Sequence, residues 1–131
     1  MQIPDDVLAG FARLIGLEYE DASGDRVVIR CAVKPDLLQP YGILHGGVHC
    51  AIVETAASTG AALWLAAEHG GGRVVGVANQ TDFLRAVSDG ELVAEALPIH
   101  RGRSQQLWAV EVRDGERRLA ARGQVRLQNL D

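Results

Sequence analysis

The sequence predicts an α+β protein in which one long apolar helix lies across an antiparallel sheet of about five strands. Residues 48–68 consist mainly of Ala, Leu, Ile and Val with very few charges, which is typical of a buried helix. Residues after 73 contain only alternating apolar segments separated by turn residues, which is typical of antiparallel strands. With 131 residues and a hydrophobic content of 47%, the chain can form one domain spanning residues 1–131 around a single core.

Residues 4–15 are predicted to form a short amphipathic helix. Pro4 and the acids after it suit a helix start, and Gly16 suits its end. The apolar residues of this segment have the spacing of one helix face, which we expect to be buried: Val7, Leu8, Phe11, Leu14 and Ile15.

Two strand segments, 17–20 and 27–33, follow on either side of a turn at residues 22–25. A glycine-rich turn at residues 39–47 then leads into the long helix, which residues 69–72 end with three consecutive glycines. Later strands are predicted at 74–84, 92–100, 105–113 and 119–127. Asp114 and Gly115 form the strongest hairpin signal, between the last two of these strands.

Composition excludes several classes of function. The net charge is −4 and the basic residues are scattered, so we expect no nucleic-acid partner. Cys31 and Cys50 lack metal-ligand spacing, so we expect no metal site and two small buried residues in a reducing compartment. No basic segment precedes an apolar one near residue 1, so we expect no signal peptide and a cytoplasmic protein. The long helix carries Glu54 near its middle, which costs about 3 kcal/mol in a membrane, so we expect no membrane span.

Glu54 is the first candidate for a functional residue. A carboxylate in a helix that is apolar nearly all round is predicted to be buried, and a buried charge needs compensation. The same helix has no polar outer face, so a second copy of the chain is predicted to cover it.

The start of the helix is the second candidate. Gly46 has a backbone N–H without an intrahelical partner, and glycine allows a ligand to approach it closely. Such a donor suits a developing oxyanion, while Glu54, which shares a helix face with Ser58, suits attack or general-base work. Glu54 lies roughly 12 Å along the helix from Gly46, too far for both to hold one acyl carbon. We therefore expect an active site shared between two chains.

These residues resemble those of hot-dog-fold acyl-CoA thioesterases. The pattern Gln39-x-x-Gly42-x-x-His45-Gly46-Gly47, followed by Glu54 and Ser58, is similar to the PaaI-like branch, which includes proofreading and 4-hydroxybenzoyl-CoA thioesterases. The resemblance covers nearly the whole chain. It implies a hot-dog fold, in which an antiparallel sheet wraps around the long helix.

The resemblance also implies roles for individual residues. Glu54 matches the catalytic carboxylate, as nucleophile or base, and Gly46 matches the glycine whose N–H polarises the thioester carbonyl. Gln39 matches a glutamine that assists at the thioester or positions water, His45 a histidine near the thioester, and Ser58 a hydroxyl one turn beyond the carboxylate. It further implies a homodimer in which Glu54 and Ser58 come from one subunit and the other three residues from its partner, with two dimers forming a homotetramer.

Coenzyme A is expected as part of the acyl-CoA substrate, and no separate cofactor is expected. The basic turn at residues 100–105 resembles the segment with which the family holds the nucleotide and pantetheine, and Arg suits phosphate. The candidate CoA-binding residues are Arg101, Gly102, Arg103, Ser104, Asn79 and Arg85.

Structural roles are the alternative for each of these residues. Glu54 could be a paired surface residue, His45 a helix cap, Gln39 a loop residue, and Ser58 could bond back to its own helix. His49 is more simply a core or interface histidine.

The remaining basic and aromatic candidates have structural alternatives too. Arg101 and Arg103 could be solvated hairpin residues, and Arg85 an ion-pair partner. Trp64 and Trp108 are most simply packing residues.

The sequence predicts a thioesterase acting on an aromatic or medium-chain acyl-CoA, with an acyl-carrier thioester as a further possible substrate. A non-catalytic acyl-CoA-binding hot-dog protein is the alternative, although such regulators carry a DNA-binding extension that is missing here. A hot-dog dehydratase is a third class, but its Asp/His motif is also missing.

Overall fold

In the computed structural model, which describes residues 9–131, a 24-residue helix runs across one six-stranded antiparallel sheet. Its elements, in chain order, are α1 (Phe11–Leu14), β1 (Leu17–Ala22), β2 (Val27–Ala32), a 3₁₀ turn (Pro35–Leu37), α2 (Gly46–His69), β3 (Arg73–Phe83), β4 (Glu91–Arg101), β5 (Gln105–Arg113) and β6 (Leu119–Leu130). The strand order is β1-β2-β4-β5-β6-β3, so β1 and β3 are the two edges. The predicted α+β class is confirmed, and each of the six predicted strand segments is a strand, so the sheet has six strands where about five were expected.

Both ends of α2 are set by residues that the sequence analysis identified. His45 has extended backbone, and its Nδ1 accepts a hydrogen bond of 2.8 Å from the Gly47 N–H, which caps the helix start. Gly70 has the left-handed conformation (φ 72°) and donates its N–H to the Ala66 carbonyl at the helix end. The predicted helix boundaries are therefore confirmed, and so is the capping alternative for His45.

The core lies between the inner face of α2 and alternate residues of the sheet. The helix packs closely on the sheet at Gly60, where an added Cβ would lie 2.5 Å from the fully buried Trp108 ring. The predicted packing role of Trp108 is confirmed. By length and composition, α2 is the helix among the described residues that could cross a membrane, but ten of its residues are buried, as expected of a core helix.

The first predicted helix is shorter than expected. Within residues 9–15 of this segment only Phe11–Leu14 are helical, and Gly10 just before them has a positive φ of 60°. Pro4, Val7 and Leu8 lie outside the described residues. The prediction of one buried face is wrong for Phe11 and Leu14, which are 61% and 78% exposed, whereas Ile15 is buried. Of the described residues of this segment, Ala12 and Ile15 pack against the core, which leaves Phe11 and Leu14 on its outer side.

The hairpin predicted at Asp114 and Gly115 connects β5 and β6. The Asp114 carboxylate accepts hydrogen bonds from the N–H groups of Glu116 and Arg118 and from the Arg118 guanidinium. These bonds, with the Arg118 backbone first, hold the pKa of Asp114 below its usual value. Positive φ falls on Arg117 (65°) and not on the glycine, so the turn is longer than a two-residue hairpin.

Candidate active site

Glu54 lies on the exposed side of α2, beside the edge strand β3. The prediction that it is buried is wrong for the single chain, because the sheet ends at β3 and no further strand covers the side chain. Gly76 of β3 leaves room for the carboxyl group, since a Cβ at this position would lie 3.4 Å from Glu54 Cδ. The carboxylate is therefore open to a substrate or to a partner chain.

Asn79 orients the Glu54 side chain. Its Nδ2 donates to Glu54 Oε1 at 3.3 Å and to the Cys50 carbonyl at 3.1 Å. The Thr81 hydroxyl donates to Asn79 Oδ1 at 2.7 Å, which fixes the direction of the amide. Sequence reasoning assigned Asn79 to CoA and missed this contact with the carboxylate. Its contact with CoA stays a prediction.

Glu54 and Ser58 line one cleft of about 530 Å³, which we call the carboxylate cleft. Their spacing of four residues places them on one helix face, as predicted. Among the described residues Ser58 Oγ has no hydrogen-bond partner, so it does not bond back to its own helix. The other lining residues come from α1, α2, the start of β3 with the residue before it, and the end of β6. They are Ala12, Thr55, Thr59, Ala62, Gly72, Arg73, Val74, Val75 and Leu130.

A second cleft of about 300 Å³ lies at the start of α2, and we call it the glycine cleft. It is lined by Gln39, Ile43, Leu44, Gly46, His49, Phe83, Leu84, Arg85, Ala86 and Val87.

Gly46 presents an unused donor to the glycine cleft. Among residues 9–131, its N–H forms no hydrogen bond, whereas the next two N–H groups of the helix bond to His45. The Phe83 ring packs directly on Gly46, where an added Cβ would lie 2.6 Å from the ring. Glycine allows this close packing, and the free N–H at a helix start is suited to bind an oxyanion.

The loop before α2 positions Gln39. Its backbone N–H donates to the Ile43 carbonyl and its carbonyl accepts from the Gly42 N–H, with Gly42 at a positive φ of 80°. Gln39 Oε1 accepts a hydrogen bond from the Tyr41 N–H. The amide nitrogen of Gln39 is therefore the end of the side chain that remains for a ligand.

The two clefts share no lining residue. Glu54 and Ser58 line one of them, and Gln39 and Gly46 line the other. A single chain thus does not assemble the predicted site, which agrees with the spacing of Glu54 and Gly46 along the helix.

The two arginines of the basic turn differ in their contacts. Arg101 donates to the Gly24 carbonyl (2.6 Å) and to Asp25 (2.8 Å), and its guanidinium lies over the Trp64 ring. Arg101 therefore has a structural role, but as a part-buried tertiary contact and not as the solvated hairpin residue given as its alternative, and Trp64 has the packing role that was expected. Arg103 is exposed at a separate cleft of about 410 Å³ beside His69.

The backbone carbonyls of the basic turn accept hydrogen bonds from Asn129. Its Nδ2 donates to the carbonyls of Gly102 and Arg103, and its N–H donates to the Ser104 carbonyl. CoA binding by these turn residues, and by Arg101, stays a prediction.

Arg85 is exposed at the glycine cleft and forms no ion pair with any residue in the described part of the chain. Its backbone N–H donates to the Ala120 carbonyl, which fixes the loop after β3. The ion-pair alternative for Arg85 is therefore not observed among residues 9–131.

Family membership follows from a match to the model of the thioesterase superfamily, which covers residues 41–121. This chain belongs to the thioesterase superfamily. The match includes α2 with Glu54, the strands β3 to β5 and the start of β6. It confirms the resemblance on which the sequence analysis relied.

Similar proteins carry esterase and thioesterase names. A Mycobacterium tuberculosis protein named as an esterase is 47% identical over 128 residues, which is 98% of this chain and 91% of that protein. The 1,4-dihydroxy-2-naphthoyl-CoA hydrolase of Listeria monocytogenes is 32% identical, covering 84% of this chain and 87% of its own length. The proofreading thioesterase EntH of Cronobacter turicensis is 33% identical, covering 79% of this chain and 74% of EntH.

Solved structures have the same architecture. The Mycobacterium tuberculosis protein superposes with a TM-score of 0.89 at 49% identity, covering 92% of this chain and 96% of that one. The Escherichia coli PaaI protein superposes with a TM-score of 0.80 at 21% identity, covering 92% of this chain and 83% of its own, which is evidence for the fold alone. The predicted hot-dog fold is confirmed.

Proposed function

We propose that this superfamily member is an acyl-CoA thioesterase whose active site is shared between two chains of a homodimer. The observation that carries the proposal is the separation of two complementary half-sites. The carboxylate cleft offers Glu54, and the glycine cleft offers the unpaired Gly46 N–H. Neither half-site alone has both a nucleophile or base and an oxyanion donor.

The edge strand β3 supports a dimer. It is eleven residues long, it pairs on one side only, and its Val75, Val77 and Phe83 side chains are 44%, 51% and 56% exposed. A long exposed edge with apolar side chains is a site for strand pairing, and a symmetric second copy is the simplest partner. Pairing there covers Glu54, which lies beside β3. Association of two dimers into a tetramer stays a prediction from the resemblance.

Hydrolysis requires one group on each side of the thioester. The carbonyl oxygen accepts a hydrogen bond from the Gly46 N–H of one chain, which stabilises the negative charge that develops there. Glu54 of the other chain attacks the carbonyl carbon, or removes a proton from a water molecule that attacks it. The C–S bond breaks, and CoA leaves as a thiolate. In the general-base route this thiolate takes up the proton that Glu54 removed from the water. In the nucleophilic route one water molecule then hydrolyses the acyl–Glu54 anhydride, which releases the acid and the free Glu54 carboxylate and supplies the proton that the thiolate takes up.

The other candidate residues have supporting roles in this proposal. The free amide nitrogen of Gln39 points to the thioester or its water, and His45, whose Nδ1 accepts from Gly47, keeps its Nε2–H for a ligand. Ser58 lies beside Glu54 in the carboxylate cleft. An aromatic acyl group is favoured, because the Listeria relative is named for an aromatic acyl-CoA and the glycine cleft has an aromatic wall at Phe83.

Thiol release from a panel of aromatic and medium-chain acyl-CoAs tests the proposal, with Glu54→Gln as the variant. We expect turnover of at least one class and a loss of kcat of about 100-fold or more in the variant, the size of a lost general base. Glu68→Gln is the matched control, because Glu68 is an exposed carboxylate on the same helix. Full activity of folded Glu54→Gln protein, or binding of acyl-CoA without any turnover, would contradict the proposal and favour a binding protein.

A further inference from the structure

His49 is a buried histidine for which the proposed reaction has no role. Its side chain lines the glycine cleft and is only 3% exposed. Within residues 9–131 its Nδ1 is sealed from solvent and has no hydrogen-bond partner. A buried polar atom without a partner costs about 1–3 kcal/mol, so its presence calls for an explanation.

The orientation of the ring assigns different positions to its two nitrogens. Nδ1 is the sealed and unpaired nitrogen, whereas Nε2 is not among the buried atoms that lack a partner, and we therefore take Nε2 to be the nitrogen that faces the cleft. A buried N–H without an acceptor is rarer than a buried acceptor without a donor, which places the proton on Nε2. Burial also lowers the pKa of His49, so the ring is neutral at pH 7 and offers one N–H to the cleft.

The polar side-chain groups of the glycine cleft that are free to bind a ligand are donors, as is the Gly46 N–H. They are the Gly46 N–H, the free amide nitrogen of Gln39, the Arg85 guanidinium and the His49 Nε2–H. Among its described lining residues, no carboxylate or other free acceptor side chain is present. The carbonyl oxygen of a thioester satisfies at most two of these donors, so the cleft is suited to a ligand with a further acceptor oxygen.

The position of His49 indicates which part of the ligand carries that oxygen. The ring stacks on Phe83 with a centroid distance of 5.9 Å and an interplanar angle of 26°. Ile43, Leu44 and Val87 complete the apolar wall, while Arg85 is exposed at the rim. Phosphates of CoA suit the exposed rim. The buried, apolar surroundings of His49 suit the acyl group, and a cavity of 150 Å³ already holds a benzene ring.

We propose that His49 is a specificity-determining residue that donates a hydrogen bond from Nε2 to a hydroxyl or keto oxygen on the acyl group. This inference rests on the proposed thioesterase function. It assigns to the substrate a second acceptor oxygen besides that of the thioester. The plain hydrocarbon analogue leaves the His49 N–H without an acceptor, and such mismatches are discriminated more strongly than a missing methylene.

The test compares benzoyl-CoA with its three monohydroxybenzoyl-CoA isomers on wild type, His49→Leu and His49→Gln. In wild type we expect kcat/KM for the best hydroxy isomer to exceed that for benzoyl-CoA by about tenfold. In His49→Leu this ratio falls close to one, with benzoyl-CoA turnover retained. In His49→Gln, whose amide nitrogen keeps a donor at similar reach, part of the preference returns. Should His49→Leu not fold, His49→Phe keeps the stacking on Phe83 and allows the same comparison.

Two results overturn the inference. One is that His49→Leu and His49→Phe leave unchanged the ratio of kcat/KM for the best hydroxy isomer to kcat/KM for benzoyl-CoA. The other is an equal loss of kcat/KM with the hydroxylated and the plain acyl group, which would mean that His49 acts in the reaction itself or only supports the fold. Absence of wild-type turnover with every thioester is a different outcome, because it removes the proposed function on which the inference rests.

Discussion

The hydrogen bond between Asn79 and Glu54 gives the carboxylate a defined direction although it is exposed in the single chain. Asn79 is itself held by Thr81 and by the Cys50 carbonyl, so the amide is positioned before any substrate arrives. A nucleophile or base acts well only when its geometry is held close to the productive one. Asn79 is therefore a positioning residue in the proposed reaction.

Asn79→Ala is expected to lower kcat by about tenfold with a smaller change in KM, because it removes one long hydrogen bond to a charged group. Thr81→Val is the graded control, since it keeps the Asn79 amide but removes the hydroxyl that orients it. Steady-state kinetics on the best acyl-CoA measures both variants. Wild-type kcat in Asn79→Ala, with Thr81→Val equally unaffected, would show that the exposed carboxylate needs no support from β3.

His49 and Glu54 differ in how far their surroundings were predictable. The sequence marks both as polar residues within an apolar helix, and both were predicted to lie in or near a core. His49 does, at 3% exposure, whereas Glu54 faces the sheet edge. Helical periodicity gives the angle between two side chains, but it does not say how far a sheet extends around the helix.

At the scale of elements, the packing of α2 on β5 determines how closely the helix approaches the sheet. Gly60 has no Cβ, and the fully buried Trp108 ring occupies the space that one would need. Trp108 is held from behind by a hydrogen bond from its Nε1 to Gln106, so it has little freedom to move away.

Gly60→Ala is therefore expected to destabilise the protein by about 1–3 kcal/mol through overpacking. In an exposed helix the same change stabilises by about 1 kcal/mol, so the two effects have opposite signs. Denaturant unfolding of both proteins decides between them, with the midpoint expected to fall in the variant. A raised midpoint would mean that α2 and β5 are farther apart than described.

The boundaries of α2, β4 and β5 were predictable because caps, glycines and alternation mark them locally. The contact between Asn79 and Glu54 was not predictable, because it depends on an irregularity in β3. The register of β3 with β6 shifts between Gly76 and Ala78, which makes Val77 an extra residue. Strict alternation would place Gly76 and Asn79 on opposite faces, but the extra residue turns both towards α2.

At the scale of the whole molecule, the central claim is that one chain holds only half of each active site. The separation of the clefts, the exposed edge of β3 and the exposure of Glu54 all support it. The sequence predicted a shared site from the distance along α2 alone. The surface through which the chains meet could not be predicted, because it depends on which strand lies at the edge.

The activity of a mixture of two inactive variants tests this claim most directly. Glu54→Gln lacks the carboxylate, and Gly46→Pro lacks the N–H donor. Proline is tolerated at a first helical position, and the extended backbone of His45 suits the residue before a proline. Phe83, which packs on Gly46, is half exposed and can move aside.

The two variants are unfolded together, refolded as a mixture, and assayed for thiol release beside each variant refolded alone. A shared site predicts recovery of roughly a quarter of wild-type activity, because random pairing makes half of the dimers mixed and each mixed dimer has one intact site. Each variant refolded alone stays inactive. A mixture no more active than its components, with mixed dimers demonstrated by differently tagged chains, would contradict the shared site and place the whole reaction within one chain.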